Sequence, residues 1–91
     1  MSNVYSVRVL YSGKVQGVGF RYQTLQVARE FMVTGEVKNL TDGRVFLCAE
    51  GQEQEVVAFR TELEERMRNF IKDIEVESRQ RAPSYKTFQI T

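Results

Sequence analysis

The sequence predicts an α+β fold in which two helices cover one face of an antiparallel sheet. Three observations carry that prediction. Runs that alternate apolar and polar residues flank two runs with helical spacing. Their order along the chain is β-α-β-β-α-β, with a short extra strand at the C-terminal end. Asp42-Gly43 sits between the two middle strand-like runs, a strong hairpin signal.

Taken in order, residues 4–12 (VYSVRVLYS) place Tyr5, Val7, Val9 and Tyr11 on one face and Ser6, Arg8 and Ser12 on the other. Residues 13–20 form a glycine-bearing loop. From Arg21 to about Val33 the spacing turns helical: Thr24, Ala28 and Phe31 recur at i, i+4 and i+7, beside Leu25 and Met32, and Gly35 marks the exit. Residues 36–40 (EVKNL) read as a short strand with Val37 and Asn39 on the same side. Thr41-Asp42-Gly43 turns the chain, with Asp42 as a turn residue. Residues 44–50 return with Val45, Leu47 and Ala49 on one face and Phe46 and Cys48 on the other, and Gly51 ends the strand. Residues 53–69 form a second amphipathic helix with an apolar stripe of Val56, Phe59, Leu63, Met67 and Phe70. Glu62 with Arg66, and Glu64 with Arg68, are spaced for ion pairs on its wet side. Residues 71–79 form a strand with Ile74 and Val76 on one face, Pro83 breaks the pattern, and residues 86–90 form the last strand. This is the ferredoxin-like βαββαβ pattern, a two-layer sandwich, expected as a single domain over residues 1–91.

Composition narrows the chemistry. Thirteen basic and twelve acidic residues leave a net charge of +1, which argues against a nucleic-acid or membrane-surface partner. Cys48 is the single cysteine, so no internal disulfide forms. Its mid-strand place fits a small buried hydrophobe better than a nucleophile. No run is long and apolar enough to span a membrane, and residues 1–12 lack the apolar core of a signal peptide. A cytoplasmic monomer is expected. The chain has no histidine, which removes the commonest general base and metal ligand. It also shows no clustered ligand set, so no metal or cofactor is expected.

The most unusual stretch is Ser12-Gly13-Lys14-Val15-Gln16-Gly17-Val18-Gly19-Phe20-Arg21. It links a strand to the start of a helix, where free N–H groups and the positive end of the helix dipole attract anions. Glycines let successive N–H groups turn inward as an anion nest. An arginine at the helix start adds a planar fork that matches phosphate. Two readings follow from the residues: a phosphate cradle built from Gln16, Gly17, Val18, Gly19, Phe20 and Arg21, or a plain strand-to-helix connection. The stretch is neither a Walker loop nor the dinucleotide Gly-x-Gly-x-x-Gly motif.

The match extends beyond the glycines. Gly13 to Arg21 resembles the signature of the acylphosphatases, small enzymes that hydrolyse the carboxyl-phosphate bond. A second signature of that family is similar to Gly35-Glu36-Val37-Lys38-Asn39-Leu40-Thr41-Asp42-Gly43-Arg44-Val45 with Gly51 following. The resemblance covers nearly the whole chain, to Phe88-Gln89-Ile90. It implies that Arg21 binds the substrate phosphate, that Asn39 orients the attacking water, and that no metal takes part. Glu36 stands where the family usually has an aromatic residue. Met32 stands where it often has a glycine that caps the helix. The family's Gly-Pro pair after the second helix is missing.

The chemistry tolerates the missing histidine. An acyl phosphate leaves as a carboxylate, which needs no proton from a general acid. Phosphoryl transfer depends mainly on positioning and charge stabilisation. Asn39 carries both an acceptor and donors, so it can hold water and phosphate together. A phosphate oxygen of the substrate is the expected proton acceptor, because neither motif holds an obvious base. Lys14 and Lys38 add positive potential near the site or simply solvate the surface, and Tyr11 and Phe20 pack or shape the pocket. Two other functions fit the fold class. An RNA-binding module would need exposed aromatics, for which Tyr5, Tyr11 and Phe46 are candidates. A regulatory module would bind an acyl or carbamoyl phosphate without turnover.

Overall fold

A computed structural model describes residues 2–91; of the expected 1–91 domain, Met1 lies outside the described residues. The elements are β1 (Val4–Gly13), α1 (Phe20–Ala28), β2 (Val33–Asn39), β3 (Val45–Gly51), α2 (Glu53–Arg66), β4 (Ile71–Arg81) and β5 (Phe88–Ile90). The sheet runs β4-β1-β3-β2-β5. The first four strands pair antiparallel, as expected. The last does not: β5 pairs parallel with β2, so the sheet is mixed. The reason is direction. β4 and β2 run opposite ways at the two sides of the sheet. A chain that leaves β4, turns through residues 82–87 and docks beyond β2 must therefore run alongside β2.

Alternation sorts the strands into two faces, because directly opposed antiparallel residues share a face. Val7, Val9 and Tyr11 of β1, Val37 of β2, and Val45, Leu47 and Ala49 of β3 are buried against Val27 and Ala28 of α1 and Val56, Phe59 and Leu63 of α2. Phe59 has no exposed surface, and its ring meets Phe88 edge-on at 5.6 Å. A side chain of this kind stabilises the fold by roughly 1.5–3 kcal/mol through burial. The other face is open at Arg8, Glu36, Lys38 and Phe46, while Ser6, Cys48 and Glu50 on the same face are buried.

Both helices are shorter than their apolar spacing suggests. α1 stops at Ala28, and the chain tightens through Glu30 N–H to Val27 O (2.9 Å) and Phe31 N–H to Ala28 O (3.3 Å). Phe31 still packs on the core, but from a turn, which is why it mimicked a helical position. Met32 is exposed and needs no left-handed cap, since among the described residues positive φ occurs at glycine alone. Gly35 lies inside β2 rather than at a helix exit, where a side chain would collide with the Cys48 carbonyl. α2 stops at Arg66, leaving Phe70 partly exposed. Of the two expected ion pairs on α2, Glu62–Arg66 forms at 2.7 Å. Glu64 turns instead to Arg60 at 2.8 Å and accepts the Tyr11 hydroxyl at 2.8 Å. Helical side chains lean toward the N-terminus, and that lean brings Glu64 over the sheet.

β4 forms where expected, over Ile71–Arg81. Ile74 and Val76 do share a face, opposite Tyr11 and Val9, yet they are exposed because the helices sit over β1, β3 and β2 instead.

Candidate active site

At one end of the sandwich three elements meet: the loop after β1, the start of α1 and the end of β2. Glycine sets the loop's path. Gly17 and Gly19 have φ of 77° and 80°, and a Cβ on either would meet nothing within 4 Å. They are needed for backbone conformation, not for space. Gly19 is the N-cap of α1, and the helical ladder opens with Gln23 N–H to Gly19 O at 2.9 Å. The preceding N–H groups of the first turn therefore have no partner within the helix. No side chain caps them, and no acidic residue sits in that turn.

Arg21 occupies the same turn, half-buried. Among the described residues it makes no ion pair. Asn39, the last residue of β2, projects on the same side as buried Val37, as alternation requires. Its Oδ1 is buried and accepts no hydrogen bond among the described residues. An unpaired buried acceptor costs about 1–3 kcal/mol, so such an atom is kept only where something offsets it.

These groups line one cavity of about 240 Å³, with Val15, Gly17, Gly19, Phe20, Arg21, Tyr22, Asn39 and Ile90 in its wall. That is roughly eight water molecules' worth of liquid volume. No carboxylate lines it, so Arg21 and the positive end of α1 face the space uncompensated. Three larger surface hollows differ in that each holds a carboxylate. One along β1 and β4 sets Arg8 against Glu75 and Glu77, one at the start of α2 carries Glu53, and one beside Phe46 gathers Arg8, Lys38 and Arg81 around Glu36.

The structure brings Arg21 and Asn39 together with Gly17, Gly19 and Phe20. Gln16 and Val18 do not line the cavity. Gln16 Nε2 donates to the carbonyls of Leu40 (2.8 Å) and Arg44 (2.9 Å), which ties the loop to the hairpin just beyond Asn39. Val18 packs against the core. The hairpin is closed by Leu40 N–H to Arg44 O at 2.8 Å, and Asp42 Oδ1 accepts from Arg44 N–H at 3.1 Å, as a turn residue should. Behind the loop, Phe20 stacks on Tyr11 at 5.0 Å. Burial and the Glu64 carboxylate push the Tyr11 hydroxyl well above its usual pKa, so it stays neutral.

Three wall residues were not legible as site residues, and one of them, Val15, is a fully buried core residue. Tyr22 follows Arg21 in a run that reads as ordinary helix. Ile90 depends on which strand β5 joins. Lys38 lies on the open face, its Nζ 5.5 Å from the Phe46 ring, with Arg8 over the same ring at 5.4 Å. Tyr11 is fully buried and Tyr5 lies on the helix-side face, which leaves Phe46 as the sole one of the three candidate stacking aromatics on the open face.

Comparison with known proteins adds an independent line. A family model described as acylphosphatase matches residues 7–90. Over 87 residues the chain is 39% identical to an acylphosphatase of Lactiplantibacillus plantarum, covering 94% of this chain and 97% of that one. A 48-residue stretch is 56% identical to an acylphosphatase of Archaeoglobus fulgidus; it spans 53% of this chain and 54% of that relative. The crystal structure of acylphosphatase from Bacillus subtilis superposes with a TM-score of 0.85 at 33% identity, over 96% of this chain and 98% of that one.

Proposed function

The chain belongs to the acylphosphatase family and hydrolyses acyl phosphates, and on that premise we propose how its own residues perform the reaction. The phosphoryl group of a small-molecule acyl phosphate sits at the start of α1, where the free N–H groups of the glycine loop and the Arg21 guanidinium share its charge. Asn39 Oδ1 accepts a hydrogen from the attacking water, and its amide nitrogen donates to a phosphoryl oxygen. Water oxygen bonds to phosphorus as the phosphorus–acyl oxygen bond breaks. The bonding pair leaves on the carboxylate, and the water's proton passes to a phosphoryl oxygen. Arg21 and the helix end stabilise charge throughout, which is most of what phosphoryl transfer asks of a protein.

The observation that carries this reading is the buried, unpartnered Oδ1 of Asn39, in the same cavity wall as Arg21 and the glycine loop. An anion-binding loop alone needs no such acceptor; a reaction with water does. The domain acts on its own as a cytoplasmic monomer, without metal or nucleic acid.

The test is hydrolysis of benzoyl phosphate in ¹⁸O-labelled water. Inorganic phosphate should be released, should carry the label, and should compete with substrate. Phosphate binding without release would make the chain a regulatory acyl-phosphate module. Label in benzoate would move the attack to the acyl carbon and remove Asn39 from the proposed role.

A further inference from the structure

The cavity has an apolar rim that phosphate chemistry does not use. Tyr22 and Ile90 both line it, and they are 61% and 40% exposed, large apolar surfaces left in solvent beside a cationic centre. Ile90 has no polar atom to offer an anion. Apolar surface at the mouth of a phosphate site gains free energy only when something apolar covers it, and the part of an acyl phosphate that projects from the site is its acyl group.

Holding Ile90 there is not trivial. β5 is three residues long and lies at the sheet edge, the kind of element that frays. Backbone bonds flank it, from Gly35 N–H to Thr87 O at 3.0 Å and from Thr91 N–H to Val37 O at 2.9 Å. Glu36 adds a second set. Its Oε2 accepts the Tyr85 hydroxyl at 2.6 Å and its Oε1 accepts the Thr91 hydroxyl at 2.7 Å. One carboxylate on β2 thus grips the chain on both sides of β5. Glu36 is opposite Gln89 and Val37 opposite Ile90, so the grip is on the open face while Ile90 is presented to the site. The Tyr85 hydrogen bond, then that from Thr91, holds the Glu36 carboxyl below its ordinary value of 4.5, as expected for a charged clasp.

We propose that Tyr22 and Ile90 form the acyl side of the site and select acyl phosphates with a bulky apolar acyl group, and that Glu36 is a positioning residue that holds Ile90 in place. The inference rests on the reading that this cavity takes an acyl phosphate. It also gives Glu36, unusual at its position, a task.

The experiment measures kcat/KM for benzoyl phosphate and acetyl phosphate, with the inhibition constant for orthophosphate, in the wild type, Ile90→Ala, Tyr22→Ala, Glu36→Ala and the Glu36→Ala/Ile90→Ala pair. The wild type should favour benzoyl phosphate, chiefly through KM. Ile90→Ala and Tyr22→Ala should each lower the benzoyl-to-acetyl ratio by about tenfold, the scale for a lost apolar pocket contact. Orthophosphate inhibition should stay within about twofold, since the phosphate contacts are untouched. Glu36→Ala should lower the ratio too, yet add nothing once Ile90 is gone, an outcome that general destabilisation would not give. Should Glu36→Ala fail to fold, Tyr85→Phe and Thr91→Ala remove the same clasp, the first by deleting one hydroxyl at a partly buried position and the second at an exposed one. An unchanged ratio in Ile90→Ala and Tyr22→Ala, or equal losses on both substrates, overturns the acyl-side assignment while leaving the hydrolase reading intact. A wild type that hydrolyses neither substrate overturns both.

Discussion

Two helices start in this molecule, and their first turns are opposites. α1 follows Gly19 in the left-handed region and carries Arg21 with no acidic residue. α2 follows Gln52 in an extended conformation and carries Glu53 and Glu55 in its first turn. Neither has a side-chain cap bond. The backbone field is the same at both ends, roughly half a positive charge. At α2 the chain's own carboxylates answer it, and Glu55 Oε1 also accepts the Met32 N–H at 2.8 Å. At α1 no carboxylate among the described residues answers it. Side chains within one turn thus decide whether a helix N-terminus is left open to an anion.

The contrast can be broken most severely at Arg21. Arg21→Gln should reduce hydrolysis of benzoyl phosphate to background and abolish competitive inhibition by phosphate, measured by phosphate release and by inhibition kinetics. Retained inhibition would show that the bare helix end suffices. Asn39→Ala comes next. Turnover should fall by about 10³, while phosphate affinity stays within a few-fold. A large loss of affinity with turnover preserved would assign Asn39 to binding instead.

A smaller effect is expected at the cap itself. A Cβ at Gly19 meets nothing, so Gly19→Ala should cost only the left-handed strain, about 1–2 kcal/mol in denaturant unfolding. A several-fold loss of phosphate affinity should accompany it as the N–H groups shift. The smallest change belongs to the other helix. Glu53→Gln with Glu55→Gln should lower stability by about 0.5–1 kcal/mol and leave kcat/KM unaltered. A change in activity there would mean the two helix ends are coupled.

Much of this was readable in the chain because it rests on local rules. Period-two alternation put Asn39 with Val37, on the face that turns out to hold the site. The glycines before Arg21 marked a loop that needs positive φ, and both Gly17 and Gly19 have it. Asp42-Gly43 marked the hairpin that sets Asn39 at a strand end. The errors fell where a local signal had a non-local cause. Phe31 kept helical spacing but packs on the core from a turn, partly buried. Glu64 was spaced for Arg68 but is drawn to Tyr11 and Arg60. Ile74 and Val76 do share a face, as read, but their exposure was not legible, because nothing in a strand's own sequence says whether a helix will cover it.

The residue types thus settled the element order, the positive-φ loop and the two polar groups that line the cavity, since turn geometry, alternation and charge act over a few residues. Which strand receives β5, and so whether Ile90 shares a cavity wall with Asn39, was decided only on folding. The two residues are 51 positions apart in sequence, and the placement of Ile90 depends on the path of residues 82–87 and on the hydrogen bonds from Tyr85 and Thr91 to Glu36. Long-range pairing of this kind is set by competition among whole surfaces, and no short stretch of the chain contains that information.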